Sequence, residues 1–148
     1  MDLEQKMIIC SPSLKSEYDA YYSLRWQILR APWKQVKGSE KDELEENAVH
    51  RMAILDNNVI ACGRLHFIDK TTALIRYMAV AKDYMKKGFG TKILASLEDV
   101  AKDNNYETIH LHAREGSVSF YEKRGYQLIK KSHLLFNEIQ HYKMQKKL

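Results

Sequence analysis

A glycine-marked turn rich in lysine separates a short apolar segment from an amphipathic one. It carries Lys86, Lys87, Gly88 and Gly90, and Thr91 follows. The first turn of a helix presents unpaired backbone N–H groups and the positive end of the helix dipole, which attract phosphate. Glycine lacks the Cβ atom that would keep a diphosphate away from those amides. The pattern therefore predicts a cradle for the phosphates of a nucleotide or a nucleotide-like cofactor.

The turn matches neither of the two commonest phosphate-binding motifs. A Walker loop needs lysine followed by serine or threonine after its second glycine, and here Thr91 precedes Lys92. The dinucleotide fingerprint needs a third glycine where this chain has Ile93. An ordinary turn at the start of a helix would show the same glycine pair, so the glycines alone leave the ligand open.

Length and composition predict one globular domain over residues 1–148, because 45% of the residues are hydrophobic and only two are proline. The apolar run at residues 7–10 is too short for the core of a signal peptide, and no segment has the length of a membrane span. Cys10 and Cys62 lack the spacing of metal ligands and are expected to be buried thiols. These features predict a cytoplasmic protein without a metal.

The formal net charge of +5 is unevenly distributed. Lysines concentrate around the glycine turn and in the C-terminal tail, whereas residues 40–46 form an acidic run relieved only by Lys41. A basic surplus is common in nucleic-acid-binding proteins, but a solvated lysine surface explains it as well. Charge alone therefore makes nucleic-acid binding a minor alternative.

Hydrophobic periodicity predicts a mixed α/β sheet flanked by helices. Three consecutive strands form an antiparallel meander, and the strand–helix–strand unit over residues 72–113 is expected to be a right-handed parallel crossover. A polar, acidic connection over residues 33–47 follows Pro32, which ends the first helix. The predicted strands cover residues 6–10, 49–55, 59–67, 72–80, 106–113, 126–129 and 141–144, and the predicted helices cover residues 14–29, 89–104 and 118–123.

In this order of elements, three groups of residues resemble the GNAT superfamily of N-acetyltransferases. The segment from Met78 to Val80, with Gly88 to Thr91, is similar to the acetyl-CoA motif of that family. Leu111-His112-Ala113-Arg114, followed by Phe-Tyr-Glu-Lys-Arg-Gly-Tyr at residues 120–126, resembles its second cofactor-contacting strand and helix. The N-terminal residues 24–42 are similar to the substrate side of a small bacterial subgroup.

The resemblance implies a mostly antiparallel sheet that splays between its fourth and fifth strands, with acetyl-CoA as the co-substrate in the gap. Unmet backbone groups of the splayed strands would pair with pantetheine. Two positions depart from the usual pattern: Met85 replaces a glutamine or arginine, and Arg114 replaces an asparagine. The residues that the resemblance implies for cofactor binding are Met78, Ala79, Val80, Met85, Lys86, Lys87, Gly88, Phe89, Gly90, Thr91, Arg114, Ser117 and Tyr121.

The implied reaction is direct attack of an amine on the thioester. A backbone N–H near Val80 would stabilise the developing oxyanion, and Tyr121 would protonate the departing thiolate. Many relatives carry a base on the fourth strand, but that face here carries Leu74, Arg76 and Met78. His112 on the opposite strand is the first candidate for the base, directly or through water. Glu46 and His50 are weaker candidates.

The acceptor side is predicted to include Arg25, Trp33 and Arg76, with Arg76 suited to a substrate carboxylate. Trp26 and Arg30 are further candidates there. If the acidic run also lines this side, it would favour a cationic acceptor such as a polyamine; otherwise it is a solvated loop.

The predicted partner is therefore a small-molecule or protein amine, with no membrane partner, and a homodimer stays open. Two other functions also stay open: a catalytically idle acyl-CoA-binding domain and a basic nucleic-acid-binding module.

Overall fold

The computed structural model describes residues 6–148 as a seven-stranded sheet with three α-helices. A strand and a helix at the N-terminus precede the meander, and the crossover helix and a C-terminal hairpin follow it. The elements are β1 (Met7–Cys10), α1 (Lys15–Leu29), β2 (Val49–Leu55), β3 (Asn58–Phe67), β4 (Thr72–Val80), α2 (Phe89–Asp103), β5 (Thr108–Arg114), α3 (Val118–Glu122), β6 (Gln127–Leu135) and β7 (Ile139–Lys147).

The strands follow the order β1-β2-β3-β4-β5-β7-β6. Within the described range, β4 and β5 form the one parallel pair and the other neighbours are antiparallel. The parallel pair is joined by α2, as expected for strands that need a crossover connection. This arrangement confirms the meander, the crossover and the mixed sheet predicted from the sequence.

The two long helices cover opposite faces of the sheet. Met52 and Cys62 pack in a cluster with α1, whereas their neighbours Ala53 and Ala61 pack in the larger cluster with α2. Alternate residues of a strand face opposite sides, so the central strands are buried on both faces. The apolar stripe of α2 explains its burial, because Phe89, Ile93, Leu94, Leu97 and Ala101 all lie inside.

β4 contains a bulge where it passes Gly63 of β3. Cys62 pairs with Ala79 and Arg64 pairs with Arg76, so Gly63 alone faces two residues of β4, and Tyr77 there adopts a φ of 59°. A bulge of this kind re-aims the side chains beyond it. Tyr77 consequently joins the cluster beneath α1.

β4 and β5 diverge beyond their paired segment. Their pairing runs from Thr72 with Thr108 to Ile75 with Leu111, although β4 continues to Val80 and β5 to Arg114. The last residues of both strands therefore face a gap in the sheet, which confirms the predicted splay.

The sequence underestimated the C-terminal hairpin, whose strands span 127–135 and 139–147. β6 lies at the edge of the sheet and is mostly exposed, so it lacks the alternating apolar pattern that marks a half-buried strand. None of the helices in the described range has the length and apolar character needed to cross a membrane.

Candidate active site

A cleft of about 1010 Å³ opens where β4 and β5 separate. The glycine turn, the start of α2, α3 and the β6–β7 hairpin complete its walls. Most residues that the sequence assigned to the site meet here. Those that line the cleft are Arg76, Met78, Ala79, Val80, Met85, Lys86, Gly88, Phe89, Gly90, Thr91, His112, Arg114, Ser117 and Tyr121.

The glycine turn brings the start of α2 to the cleft. Gly88 is the residue immediately before the helix and has a φ of 89°, a left-handed conformation that favours glycine. A Cβ atom on Gly88 would meet nothing within 4 Å, so the space over the helix start is open. Gly90 differs, because its Cβ would contact Val80 and Phe120 at ordinary distances of 3.4 and 3.6 Å. Gly88 therefore shapes the turn, whereas Gly90 lies against packed side chains.

Tyr121 lies in the second half of α3 and lines the cleft. Its side chain is buried, and its ring packs edge-on against Phe120 and Tyr126. No group within residues 6–148 forms a hydrogen bond with its hydroxyl. Burial raises the pKa of Tyr121 well above its usual value, so the phenol stays protonated at neutral pH. Because the Tyr121 hydroxyl is protonated and has no hydrogen-bond partner within residues 6–148, it is suited to donate a hydrogen bond to a ligand in the cleft.

Arg124 joins α3 to the start of α2, and the sequence reasoning missed it as a site residue. Its guanidinium donates to Thr91 Oγ1 at 2.8 Å and to the Phe120 carbonyl at 2.7 Å, and it covers the Phe120 ring at 3.8 Å. Arg124 also lines the cleft near the glycine turn. Arg124 belongs to the Phe-Tyr-Glu-Lys-Arg-Gly-Tyr segment at residues 120–126, which could have identified it. It places a positive charge beside the start of α2.

Three histidines from β5, β6 and β7 line the other end of the cleft. His133 stacks on His141 at 4.3 Å and lies 5.5 Å from His112, and His112 Nδ1 is 3.1 Å from Ser132 Oγ. Burial lowers the pKa of each of these histidines, and that of His141 falls to about 4. All three are therefore neutral at pH 7. No cluster of His, Cys, Asp or Glu in the described part of the chain is arranged to hold a metal ion.

The acidic run turns inward to pair with arginines. Asp42 binds Arg64 at 2.6 Å and Arg76 at 3.0 Å, and Glu45 binds Arg64 at 2.7 Å and Arg25 at 2.9 Å. Hydrogen bonds from Arg64 hold the pKa of the Asp42 carboxyl well below its usual range. Asp42 and Glu45 therefore form an ionic clamp with Arg25, Arg64 and Arg76 on the connection between α1 and β2, whereas Glu43 and Glu46 of the same run remain exposed.

Several predicted residues lie away from the cleft. Arg25, which was expected on the acceptor side, is fully buried against Glu45 and does not line the cleft. Trp33 stacks behind Arg114 instead of lining the cleft, and Lys87 lies over the Tyr84 ring outside it.

The two weaker candidates for the base also lie elsewhere. Glu46 and His50 line a separate small pocket of about 180 Å³. Both ring nitrogens of His50 are engaged, by the Tyr21 hydroxyl and the Glu45 carbonyl, so His50 is not placed to act as the base.

Arg114 reaches across the cleft to the C-terminus of α1. Its Nη2 lies 3.3 Å from the Leu29 carbonyl oxygen, and its guanidinium stacks on the Trp33 ring at 4.5 Å. Arg30 donates to the same oxygen at 2.9 Å. Both arginines line the cleft, so its end near α1 is basic.

The sequence matches the family model of the GNAT acetyltransferases over residues 16–126. The chain belongs to the GNAT acetyltransferase family. It is 32% identical to YyaT, an uncharacterized protein of Bacillus subtilis (strain 168), over 89 residues that cover 60% of each protein. The chain spans about a third to two thirds of the length of the curated relatives that it matches.

Solved GNAT structures share the whole architecture. A GNAT family acetyltransferase from Staphylococcus aureus Mu50 has a TM-score of 0.80 at 20% identity, covering 96% of this chain and 99% of that one. A GNAT family acetyltransferase from Elizabethkingia anophelis, solved with acetyl-CoA bound, has a TM-score of 0.78 at 19% identity, covering 97% and 99%. At these identities the similarity establishes the GNAT fold of the chain.

Proposed function

We propose that this GNAT acetyltransferase transfers the acetyl group of acetyl-CoA to a primary amine by direct attack. The observation that carries the proposal is one continuous cleft that joins the start of α2, the gap between β4 and β5, Tyr121 and His112. The E. anophelis structure holds acetyl-CoA in the same fold, which supports this choice of co-substrate.

The residues where the glycine turn meets the cleft fit coenzyme A. Phosphates suit the first-turn amides of α2 and the positive charges of Lys86, Lys123 and Arg124, all of which line the cleft. The unpaired edges of β4 and β5 offer backbone hydrogen bonds to the pantetheine amides. When bound, the co-substrate supplies an acetyl thioester.

The backbone of β4 also supports the expected oxyanion contact. The N–H of Ala81 donates to the Ile60 carbonyl at 2.7 Å, towards β3. Successive N–H groups along a strand point to opposite edges, so that of Val80 points into the gap. There it would stabilise negative charge on the thioester oxygen.

Two side chains would move protons. The Tyr121 phenol, kept protonated by burial, donates to the departing thiolate. His112 accepts the amine proton at Nε2, provided that its Nδ1–H donates to Ser132 Oγ and so fixes the tautomer. Loss of the Ser132 hydroxyl should therefore lower turnover only in a protein that still carries His112.

A thiol-release assay with an amine panel tests the chemistry. Tyr121→Phe should lower kcat by roughly 100-fold, the usual weight of a general acid, and change the acetyl-CoA Kd less than about twofold. Tyr106→Phe is the matched control, because Tyr106 stacks on Phe67 away from the cleft. Unchanged turnover in Tyr121→Phe would remove the acid role.

The cofactor cradle is tested with a pair of glycine variants. Gly88→Val and Gly38→Val both place valine at a positive φ with open space around it, so they share the same backbone strain. Only Gly88→Val puts a branched side chain over the start of α2. We expect a weaker acetyl-CoA Kd, by about tenfold or more, in Gly88→Val alone. Equal affinities in the two variants would refute the cradle.

The same measurements separate the rival functions. Calorimetric binding of acetyl-CoA without thiol release from any amine would indicate an idle acyl-CoA-binding domain. Salt-sensitive binding of an oligonucleotide that acetyl-CoA does not displace would indicate a nucleic-acid-binding module.

A further inference from the structure

Two guanidinium groups converge on one carbonyl oxygen at the end of the cleft. Arg30 Nη1 lies 2.9 Å and Arg114 Nη2 lies 3.3 Å from the carbonyl oxygen of Leu29, the last residue of α1. Arg30 comes from the chain directly after α1, whereas Arg114 comes from the end of β5. Their meeting depends on the packing of α1 over the open end of the sheet.

This pair of charges has little compensation from the protein. Within residues 6–148, neither guanidinium has a carboxylate oxygen within 4.0 Å. The C-terminus of α1 contributes only about half a negative charge. Burial lowers the pKa of both arginines, and nearby guanidinium groups lower it further: Arg76 and Arg25 for Arg30, and Arg30 for Arg114. Two like charges that face a cleft without a counter-ion are costly unless an anionic ligand joins them.

Nearby acidic groups supply only part of the missing charge. The charge of Glu40 acts to raise the pKa of Arg30, but within residues 6–148 no ion pair joins the two. Asp42 is saturated, because its two oxygens already bind Arg64 and Arg76. Arg76 adds a third guanidinium to this part of the cleft, with 47% of its side chain exposed. Glu43 lines the cleft as well, but it is exposed to solvent.

Aromatic rings restrict how a ligand can reach the two arginines. Trp33 covers the Arg114 guanidinium at 4.5 Å, and Tyr77 and Phe136 lie 5.7 and 5.4 Å from that of Arg30. With their faces against rings, the guanidinium groups offer their edges, where the N–H donors point. A planar carboxylate accepts parallel hydrogen bonds from such an edge.

We propose that Arg30 and Arg114 bind a carboxylate group of the acceptor, so that the substrates are amines that also carry a carboxylate, such as amino acids. The inference rests on the proposed function for the identity of the ligand as acceptor. It replaces the cofactor contact expected of Arg114, and it disfavours a polyamine acceptor, because Asp42 and Glu45 of the acidic run are bound to arginines.

Binding can be measured without turnover through Trp33, which stacks on Arg114. In a Trp26→Phe background, Trp33 is the remaining tryptophan and its fluorescence should respond to ligands of Arg114. We would titrate β-alanine and γ-aminobutyrate against propylamine, butylamine and 1,4-diaminobutane. The amino acids should change the emission at concentrations at least about tenfold lower than the amines that lack a carboxylate.

Substitution of Arg114 tests the assignment directly. Arg114→Met should weaken the amino acid signal at least about tenfold and leave the acetyl-CoA Kd unchanged, and Arg114→Lys should restore part of the affinity. Lys102→Met is the matched control, because it removes one exposed positive charge from α2. In the thiol-release assay, Arg114→Met should raise KM for the amino acids more than it lowers kcat.

Four results would overturn the inference. The amino acid signal could persist in Arg114→Met, or diamines could bind as tightly as amino acids. Acetate or inorganic phosphate could bind as tightly as the amino acids, which would indicate a site for free anions. Arg114→Met could weaken acetyl-CoA alone, which would make Arg114 a cofactor residue. Failure of the proposed function is distinguishable, since it would abolish thiol release with every amine while a carboxylate-dependent Trp33 signal remained.

Discussion

Glu45 connects two buried arginines, Arg25 and Arg64, in the ionic clamp. Its Oε1 binds Arg25 at 2.9 Å and its Oε2 binds Arg64 at 2.7 Å, and both arginine side chains are 0% exposed. Glu45→Gln keeps the shape of the side chain but leaves a single acceptor oxygen. Its amide N–H₂ group must then face one of the two arginines, because both positions around the carboxylate are occupied.

The expected loss of stability follows from this geometry. Removing one partner of a buried ion pair costs about 3–5 kcal/mol. Arg25 retains the Glu40 carbonyl and the Tyr21 hydroxyl, and Arg64 retains Asp42, so the lower end of that range applies. We therefore expect Glu45→Gln to lower the free energy of unfolding by about 3 kcal/mol.

Urea unfolding followed by circular dichroism measures this difference. For a slope of about 2 kcal/mol/M, the midpoint should fall by roughly 1.5 M. Glu46→Gln is the matched control, because Glu46 is the exposed neighbour and should change stability by no more than about 0.5 kcal/mol. If the two variants unfold within 0.5 kcal/mol of each other, the clamp does not stabilise the fold and the reasoning is refuted.

Three further predictions concern packing, thiol chemistry and pH. Gly63→Ala should lower the free energy of unfolding by about 1–3 kcal/mol, because its Cβ would lie 2.5 Å from Met78 Sδ and 2.8 Å from Ile93 Cγ2. Thermal unfolding measures the change, and a Tm equal to that of the parent would contradict the close packing behind the bulge. Cys62 is fully buried and its pKa is raised to about 12, so a thiol reagent should modify the half-buried Cys10 first. A fast phase of thiol modification that persists in Cys10→Ser would contradict this order. His141 has its pKa lowered by burial from 6.5 to about 4, so its contribution to stability is complete above pH 6.5 and is lost as the pH falls towards 4. Urea midpoints at pH 7.5 and pH 5 should differ less in His141→Gln than in the parent, and an equal difference would exclude His141 as the source.

The sequence predicted elements best where local pattern and burial agree. The stripe of α2 and the three strands of the meander are apolar because the core covers them, so their periodicity predicted their positions. β6 was predicted as only four residues because Lys130, Lys131 and their neighbours are exposed at an edge of the sheet. An exposed edge strand has no buried face to impose a pattern.

Local residue patterns were enough to predict three features of the site: a strand, a turn that needs glycine at a positive φ, and a helix whose first residues line the cleft. Each of these depends on neighbouring residues and leaves a trace in residue type and spacing. The tertiary structure alone decided which charges remain available in the cleft. Arg114 meets Leu29, and Asp42 meets Arg64 and Arg76, only after distant segments pack together. Ion pairing between segments depends on sheet register and helix position, and the pattern of charges along the chain does not encode either.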